Sequence, residues 1–243
     1  MSEPWAGFPV FLIGAVYAFV GHGGGSGYLT VLAGLWGGPG PHVATAALLL
    51  NVLVAGMGWR IFWREGCGSW KWMGWLLAGS VPAAFVGASL PVPPALYRGL
   101  LVVALLGAGI RLALVRHVAP ASCRIPPAWV RLGIGGAVGF LSGLIGIGGG
   151  VFLSPLMILG RWTDARTTAG ISAAFIAVNS LSGLLARGMH HALVIDERLP
   201  WLAVAAGLGG WMGARLGAQR ASGLALCRAL GLVLVTASLK WIR

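Results

Sequence analysis

Gly146-Ile147-Gly148-Gly149-Gly150 sits near the middle of an apolar run over 129–160, and Gly21-His22-Gly23-Gly24-Gly25 sits near the middle of another over 7–37. As one straight helix, either run would extend roughly 46–48 Å at 1.5 Å per residue. The hydrocarbon core of a bilayer is only about 30 Å thick. Consecutive glycines are also the poorest helix formers after proline. Each run is therefore predicted to form two short helices meeting at its glycines.

The surrounding composition makes a bilayer the medium. Of 243 residues, 58% are hydrophobic and 9% charged, and the mean hydropathy is +0.87. Soluble domains carry about 25% charged residues, so a soluble globular enzyme and a disordered chain are both excluded. The 41 glycines show no Gly-X-Y period, which excludes collagen. They suit membrane helices that approach closely or break. The net charge of +12 comes from 17 basic and 5 acidic residues. In a soluble protein that excess would point to nucleic acid. Here the basic residues fall mostly between apolar segments, so they reflect topology and anionic lipid, and no nucleic-acid partner is expected. Cys67, Cys123 and Cys227 are scattered, with neither metal-site spacing nor a disulfide framework. No cofactor or metal is expected. The start, Met1-Ser2-Glu3-Pro4-Trp5, has no basic region, so the first apolar run is read as a retained membrane segment and not a cleaved signal.

Further apolar segments fall at 42–63, 72–90, 94–115, 165–186, 199–218 and 222–242. The only polar, proline-rich connector of any length runs from Arg116 to Pro127. It divides the chain into a first transmembrane repeat over 1–115, a connecting loop over 116–128 and a second repeat over 129–243. Besides the glycine runs, Asn51 matches Asn179, and Arg64-Glu65-Gly66 resembles Ala186-Arg187-Gly188. Ala95-Leu96-Tyr97-Arg98 matches Ala225-Leu226-Cys227-Arg228, all in the same order. The fold expected is an all-α polytopic membrane protein of two homologous repeats with 8–10 membrane segments. A hairpin at each break gives five segments per half and inverted repeats; a single broken crossing gives four and parallel repeats. Lys and Arg counts satisfy the positive-inside rule in both layouts. The excess segment length favours the inverted one. In either layout Arg60, Arg64 and Lys71 share a side, expected to be cytoplasmic, with Arg116 and Arg124. Most of the 12 tryptophans sit near segment ends, as interfacial belts do, whereas Trp75 and Trp211 read better as fillers of apolar volume.

The duplicated glycine runs carry the strongest functional signal. A helix starting after Gly25 or Gly150 points free N–H groups and the positive end of its dipole at the break. Two such ends facing each other near the midplane suit an anion. The alternative is that the glycines serve only packing. The expected substrate-binding set is Gly23, Gly24, Gly25 and Ser26 facing Gly148, Gly149 and Gly150, flanked by Asn51 and Asn179. Thr45 and Ser172 lie near two turns upstream of these asparagines, on roughly the same face. A mid-membrane amide binds a ligand or ties helices together. His22 has no counterpart in the second run, and a proton-linked role is considered for it. No acidic residue falls inside a span, which argues against a cation carrier. Gly24-Gly25-Ser26-Gly27 also resembles the nucleophile motif of rhomboid intramembrane proteases. It has no mid-helix histidine base on a neighbouring helix, so no catalytic residues are assigned.

Two halves each opening on a broken glycine-rich segment, with Gly143-Leu144-Ile145-Gly146-Ile147-Gly148-Gly149-Gly150 followed by Pro155, resemble the TauE/SafE (sulfite exporter) family. The run Thr168-Ala169-Gly170-Ile171-Ser172 through Asn179-Ser180-Leu181-Ser182-Gly183 is similar to that family's second helix. The first half departs from the pattern at His22, and at Thr30 where Pro155 stands in the second. The resemblance implies a multi-pass transporter of the bacterial inner membrane for small sulfur-containing anions of the sulfite, thiosulfate or organosulfonate class. It implies that the glycine runs and Ser/Asn pairs line the path, and alternating access is the mechanism expected of such a two-repeat carrier. An anion channel is the alternative, and an intramembrane serine protease a distant one. The partners expected are the anion and the bilayer, and a homo-oligomer is left open.

Overall fold

Among the described residues four helices are long and apolar enough to cross a membrane; one glycine run separates two short helices, and the other separates one of these four from a short helix. The computed structural model describes residues 4–38, 40–90, 125–146, 148–190 and 193–242, with Val102, Leu106, Gly109, Ile110, Ala113 and Leu114 between them; side chains are described as far as Thr236. Most of the expected segment 94–115, including Ala95-Leu96-Tyr97-Arg98, lies outside the described residues. So do residues 116–124 of the connector, Ile147 and His191.

Among the described residues there are nine α-helices and no strand. They are α1 (Gly7–Phe19), α2 (Gly25–Leu35), α3 (Pro41–Arg64), α4 (Trp70–Ser89), α5 (Ala128–Ile145), α6 (Gly150–Leu159), α7 (Ala165–Met189), α8 (Leu199–Arg215) and α9 (Gly223–Ile242). The fold is that of an all-α polytopic membrane protein. Helices α3, α4, α5 and α7 are the long apolar spans. Local chemistry sets several ends. Pro41 opens α3, where its missing N–H costs nothing. Asp164 caps α7 by accepting from the N–H groups of Arg166 and Thr167 at 2.9 and 3.0 Å.

Side-chain contacts give the helix directions. At one end of the molecule Trp36 stacks on His42, Arg198 lies 4.7 Å from the Trp36 ring centroid, and the Val194 N–H donates to Thr45 Oγ1. At the other end Gln219 donates to Glu65, Trp63 packs edge-on against Trp70, and Trp72 stacks on Trp162. Helix α1 runs from the Arg198 end to the Glu65 end and α2 returns. Consistent with this fold-back, Tyr17 meets Ser26. The chain thus folds back at each glycine run, between two short helices at the first and between the 18-residue α5 and the short α6 at the second. Helices α3 and α7 run antiparallel, with Asn51 beside Ser180 and Gly58 facing Ala173.

Two parallel pairs, α1 with α8 and α4 with α5, pack through glycine. A Cβ at Gly209, Gly213 or Gly217 would land on the carbonyl oxygen of Phe11, Ala15 or Phe19 respectively. A Cβ at Gly79 or Gly87 would land on that of Leu132 or Phe140. In lipid no hydrophobic drive separates helix from solvent, so such close backbone approach supplies the association. Helix α7 is the most enclosed span, with 83% of its most apolar window buried against 22% for α5.

Tryptophan placement corrects one expectation. Trp75 and Trp211 are not interior fillers, being 49% and 48% exposed. Trp72 stays at a segment end, in the first turn of α4, where it is buried and stacked on Trp162. Helical phase decides this. Trp72 and Leu76, one turn apart, share the buried face, whereas Trp75 lies about 100° round the helix from Leu76 and is half exposed.

Candidate functional site

The first break spans Val20–Gly24 and the second Gly146–Gly149. Gly24 at φ +96° and Gly149 at φ +78° precede α2 and α6, and Gly148 has φ +81°. These left-handed conformations cost a glycine nothing and an L side chain considerably more. Neither helix start is capped by its own N-cap side chain.

Asn51, fully buried halfway along α3, supplies the missing group at the first break. Its Oδ1 accepts the Gly25 N–H at 2.9 Å, and its Nδ2 donates to Ser180 Oγ on α7 at 2.7 Å. The second break reaches the same point. A Cβ at Gly148 would lie 2.7 Å from Asn51 Nδ2 and 2.8 Å from Ser180 Oγ. A Cβ at Gly23 would collide with Asn51 Oδ1. One at Gly150 would lie 3.4 Å from His22 Cδ2. The structure therefore brings Gly23, Gly25, Asn51, Gly148, Gly150 and His22 together around Asn51 and Ser180. Gly24 packs against Ile13 and Tyr28, and Gly149 against Ser142 and Phe175.

Other expected residues have different partners. Ser26 Oγ hydrogen-bonds Tyr17 OH at 2.9 Å, and Ser172 Oγ hydrogen-bonds Ser154 Oγ at 2.7 Å. Thr45 is not part of the cluster. It lies at the Arg198 end, donating to the Pro41 carbonyl of its own helix and accepting from Val194. Asn179 does not mirror Asn51. Its Nδ2 donates to Phe175 O one turn back, and its buried Oδ1 has no partner among the described residues. His22 Nδ1 lies 3.1 Å from Val20 O, which fixes the proton on that nitrogen. Its Nε2 is buried with no hydrogen-bond partner among the described residues. Buried acceptors left open cost about 1–3 kcal/mol each unless water or a ligand supplies a proton.

Ser180 and Tyr17 were missed by sequence reasoning, although Ser180 adjoins the singled-out Asn179. Arg187 was missed as well. A Cβ at Gly146 would lie 4.0 Å from its guanidinium, which puts a half-buried cation beside the second break. Among the described residues no cluster of His, Cys, Asp or Glu suits a metal ion. Ser26 pairs with a tyrosine and not with a histidine base.

Helical spans enclosing two interrupted segments, with helix starts and buried polar side chains meeting at the interruptions, define a polytopic membrane transporter. A family profile described as Sulfite exporter TauE/SafE matches residues 7–241. The chain is also 32% identical over 237 residues to a protein named "Probable membrane transporter protein y4hK" from Sinorhizobium fredii (strain NBRC 101917 / NGR234), covering 95% of this chain and 94% of that one. The chain belongs to the sulfite exporter TauE/SafE family. Its relatives are transporters and not enzymes. No solved structure matches it.

Proposed function

We propose that this chain carries a small sulfur-containing anion, of the sulfite, thiosulfate or organosulfonate class, across a bacterial inner membrane by alternating access. The observation that carries this reading is the convergence of both glycine breaks on Asn51 and Ser180. The α2 and α6 starts bring N–H groups and the positive ends of their dipoles to a buried region, which favours negative charge. Arg187 adds a cation beside the second break. The substrate set is Gly23–Ser26, Gly148–Gly150, Asn51 and Asn179, with Ser172 through Ser154 as a support and Thr45 remote from it. His22, with an open Nε2, is the candidate for proton linkage.

The halves 1–115 and 129–243 are read as inverted repeats. The antiparallel course of α3 and α7, which carry the matched asparagines, supports this, as does the hairpin at each break. Inverted repeats with discontinuous helices at their interface are a common basis for alternating access.

Uptake of labelled sulfite into proteoliposomes tests the reading, with thiosulfate, sulfoacetate, taurine, sulfate and chloride as competitors. Saturable uptake blocked by one or two sulfur anions is expected. Folded protein that takes up nothing above empty liposomes overturns the substrate class. Unitary currents without saturation would make it a channel.

A further inference from the structure

We infer that the Glu65 end of the molecule holds a binding site for the phosphate headgroup of an anionic phospholipid, between α3 and α8. A cavity of about 300 Å³ opens there, at the lower bound for small-ligand pockets. Arg60 and Arg64, one turn apart on α3, form one wall. Trp211, Arg215 and Gln219, also at successive four-residue steps, form the other. The last of these lies in the π-helical turn Leu216–Arg220 that closes α8.

Charge points to an anion. Three guanidinium groups share the cavity with one carboxylate, that of Glu65. Glu65 is engaged by Gln219, whose Nε2 donates to Oε1 at 2.8 Å. It makes no ion pair within 4 Å with Arg60, Arg64 or Arg215. The Arg215 guanidinium instead lies 4.6 Å from the Trp211 ring centroid, held over its face. Gln219 thus bridges the mouth while the arginines keep their donors free for phosphate oxygens.

The setting points to lipid and not to a soluble anion. Trp211 lines the cavity and also belongs to the exposed apolar face of α8, with Leu208 and Met212. Met57 and Ile61 extend the cavity's apolar floor from α3. A ligand seated here meets cations at its head and hydrocarbon beside it. Basic pockets between membrane helices suit anionic headgroups in this way. The site is separate from the glycine breaks, so it stands whether or not the transport reading does.

The test is thermal unfolding of the full-length protein in a neutral detergent, titrated with phosphatidylglycerol. Parallel titrations use phosphatidylcholine, inorganic phosphate and sulfite. Phosphatidylglycerol is expected to raise the melting temperature saturably, because a ligand of the folded state stabilises it by mass action. The neutral lipid and free phosphate should not. The single variants Arg60→Gln and Arg215→Gln should each weaken the apparent affinity about fivefold, and the triple variant Arg60→Gln/Arg64→Gln/Arg215→Gln should abolish it. Arg228→Gln, outside the cavity, should leave it unchanged. Equal stabilisation of the single variants and the native chain overturns the site. Equal stabilisation by phosphatidylcholine overturns the headgroup assignment. Equal stabilisation by inorganic phosphate or sulfite makes it a soluble-anion site and overturns the lipid.

Discussion

Asn51 Nδ2 donates to Ser180 Oγ at 2.7 Å, joining residues 129 positions apart and tying the middle of α3 to the middle of α7. The same amide's oxygen holds the first N–H of α2. One side chain thus fixes a span of each half and the start of the first broken helix. Asn51→Ala leaves the Gly25 N–H and the Ser180 hydroxyl buried without it. It is expected to cost about 1–3 kcal/mol for each group left open and to abolish transport. Ser180→Ala removes the Asn51–Ser180 bond alone and should cost less. Thermal unfolding and uptake measured on both variants check the order.

Substitution at the breaks should separate geometry from glycine content. Gly24→Ala and Gly149→Ala force side chains into left-handed backbone, with φ of +96° and +78°. Gly148→Ala also drives a methyl to 2.7 Å from Asn51 Nδ2. Bulky residues at Gly24 or Gly149 should abolish flux with expression intact. Gly34→Ala on α2 and Gly56→Ala on α3 meet nothing within 4 Å and should be neutral or slightly stabilising. Normal uptake in Gly24 and Gly149 variants would remove the breaks from the transport path.

The glycine seams should tolerate even less. At Gly213 a methyl would strike the Ala15 carbonyl, and at Gly87 the Phe140 carbonyl. Backbone yields poorly, so Gly213→Leu and Gly87→Leu are expected to give aggregated protein. Size-exclusion profiles in detergent, compared with Gly34→Leu, check this.

Arg198 holds the Asp196 carboxyl down to about 2 through hydrogen bonds from its guanidinium and its backbone N–H. The folded value lies below the ordinary 3.8, so the pair's stabilisation is complete above about pH 4 and fades as pH falls through about 2. Arg198→Gln should return the carboxyl towards its ordinary value and weaken the Trp36 contact at that end. An acid-unfolding series on both proteins reads the difference.

His22 and Arg187 make separable predictions at the site. His22→Ala should flatten the pH dependence of uptake if Nε2 carries a proton, and an unchanged profile would retire that role. Arg187→Gln should raise the KM for the anion without altering expression, since its guanidinium lies at the edge of the second break. An unchanged KM would place Arg187 outside the path.

Much of this architecture was legible in the chain itself. A bilayer solvent follows from 9% charged residues, because too few solvated side chains exist to cover a soluble globule. The paired breaks follow from apolar runs too long for a bilayer, each interrupted by three consecutive glycines. What one-dimensional spacing did not decide was the partner of each polar group. Asn51 and Asn179 occupy matched positions, yet one bridges two helices and the other bonds its own. Thr45 shares a helical face with Asn51 but lies at the helix end beside Val194. The α1–α8 and α4–α5 seams were also undecided by spacing, because which glycine meets a carbonyl depends on which helices are neighbours. The hairpin form of the breaks was equally a tertiary matter. Composition and periodicity fix the solvent and where helices form and fail, since those are local energies. Direction, seam and hydrogen-bond partner depend on contacts between residues more than a hundred positions apart, and packing alone selects among them.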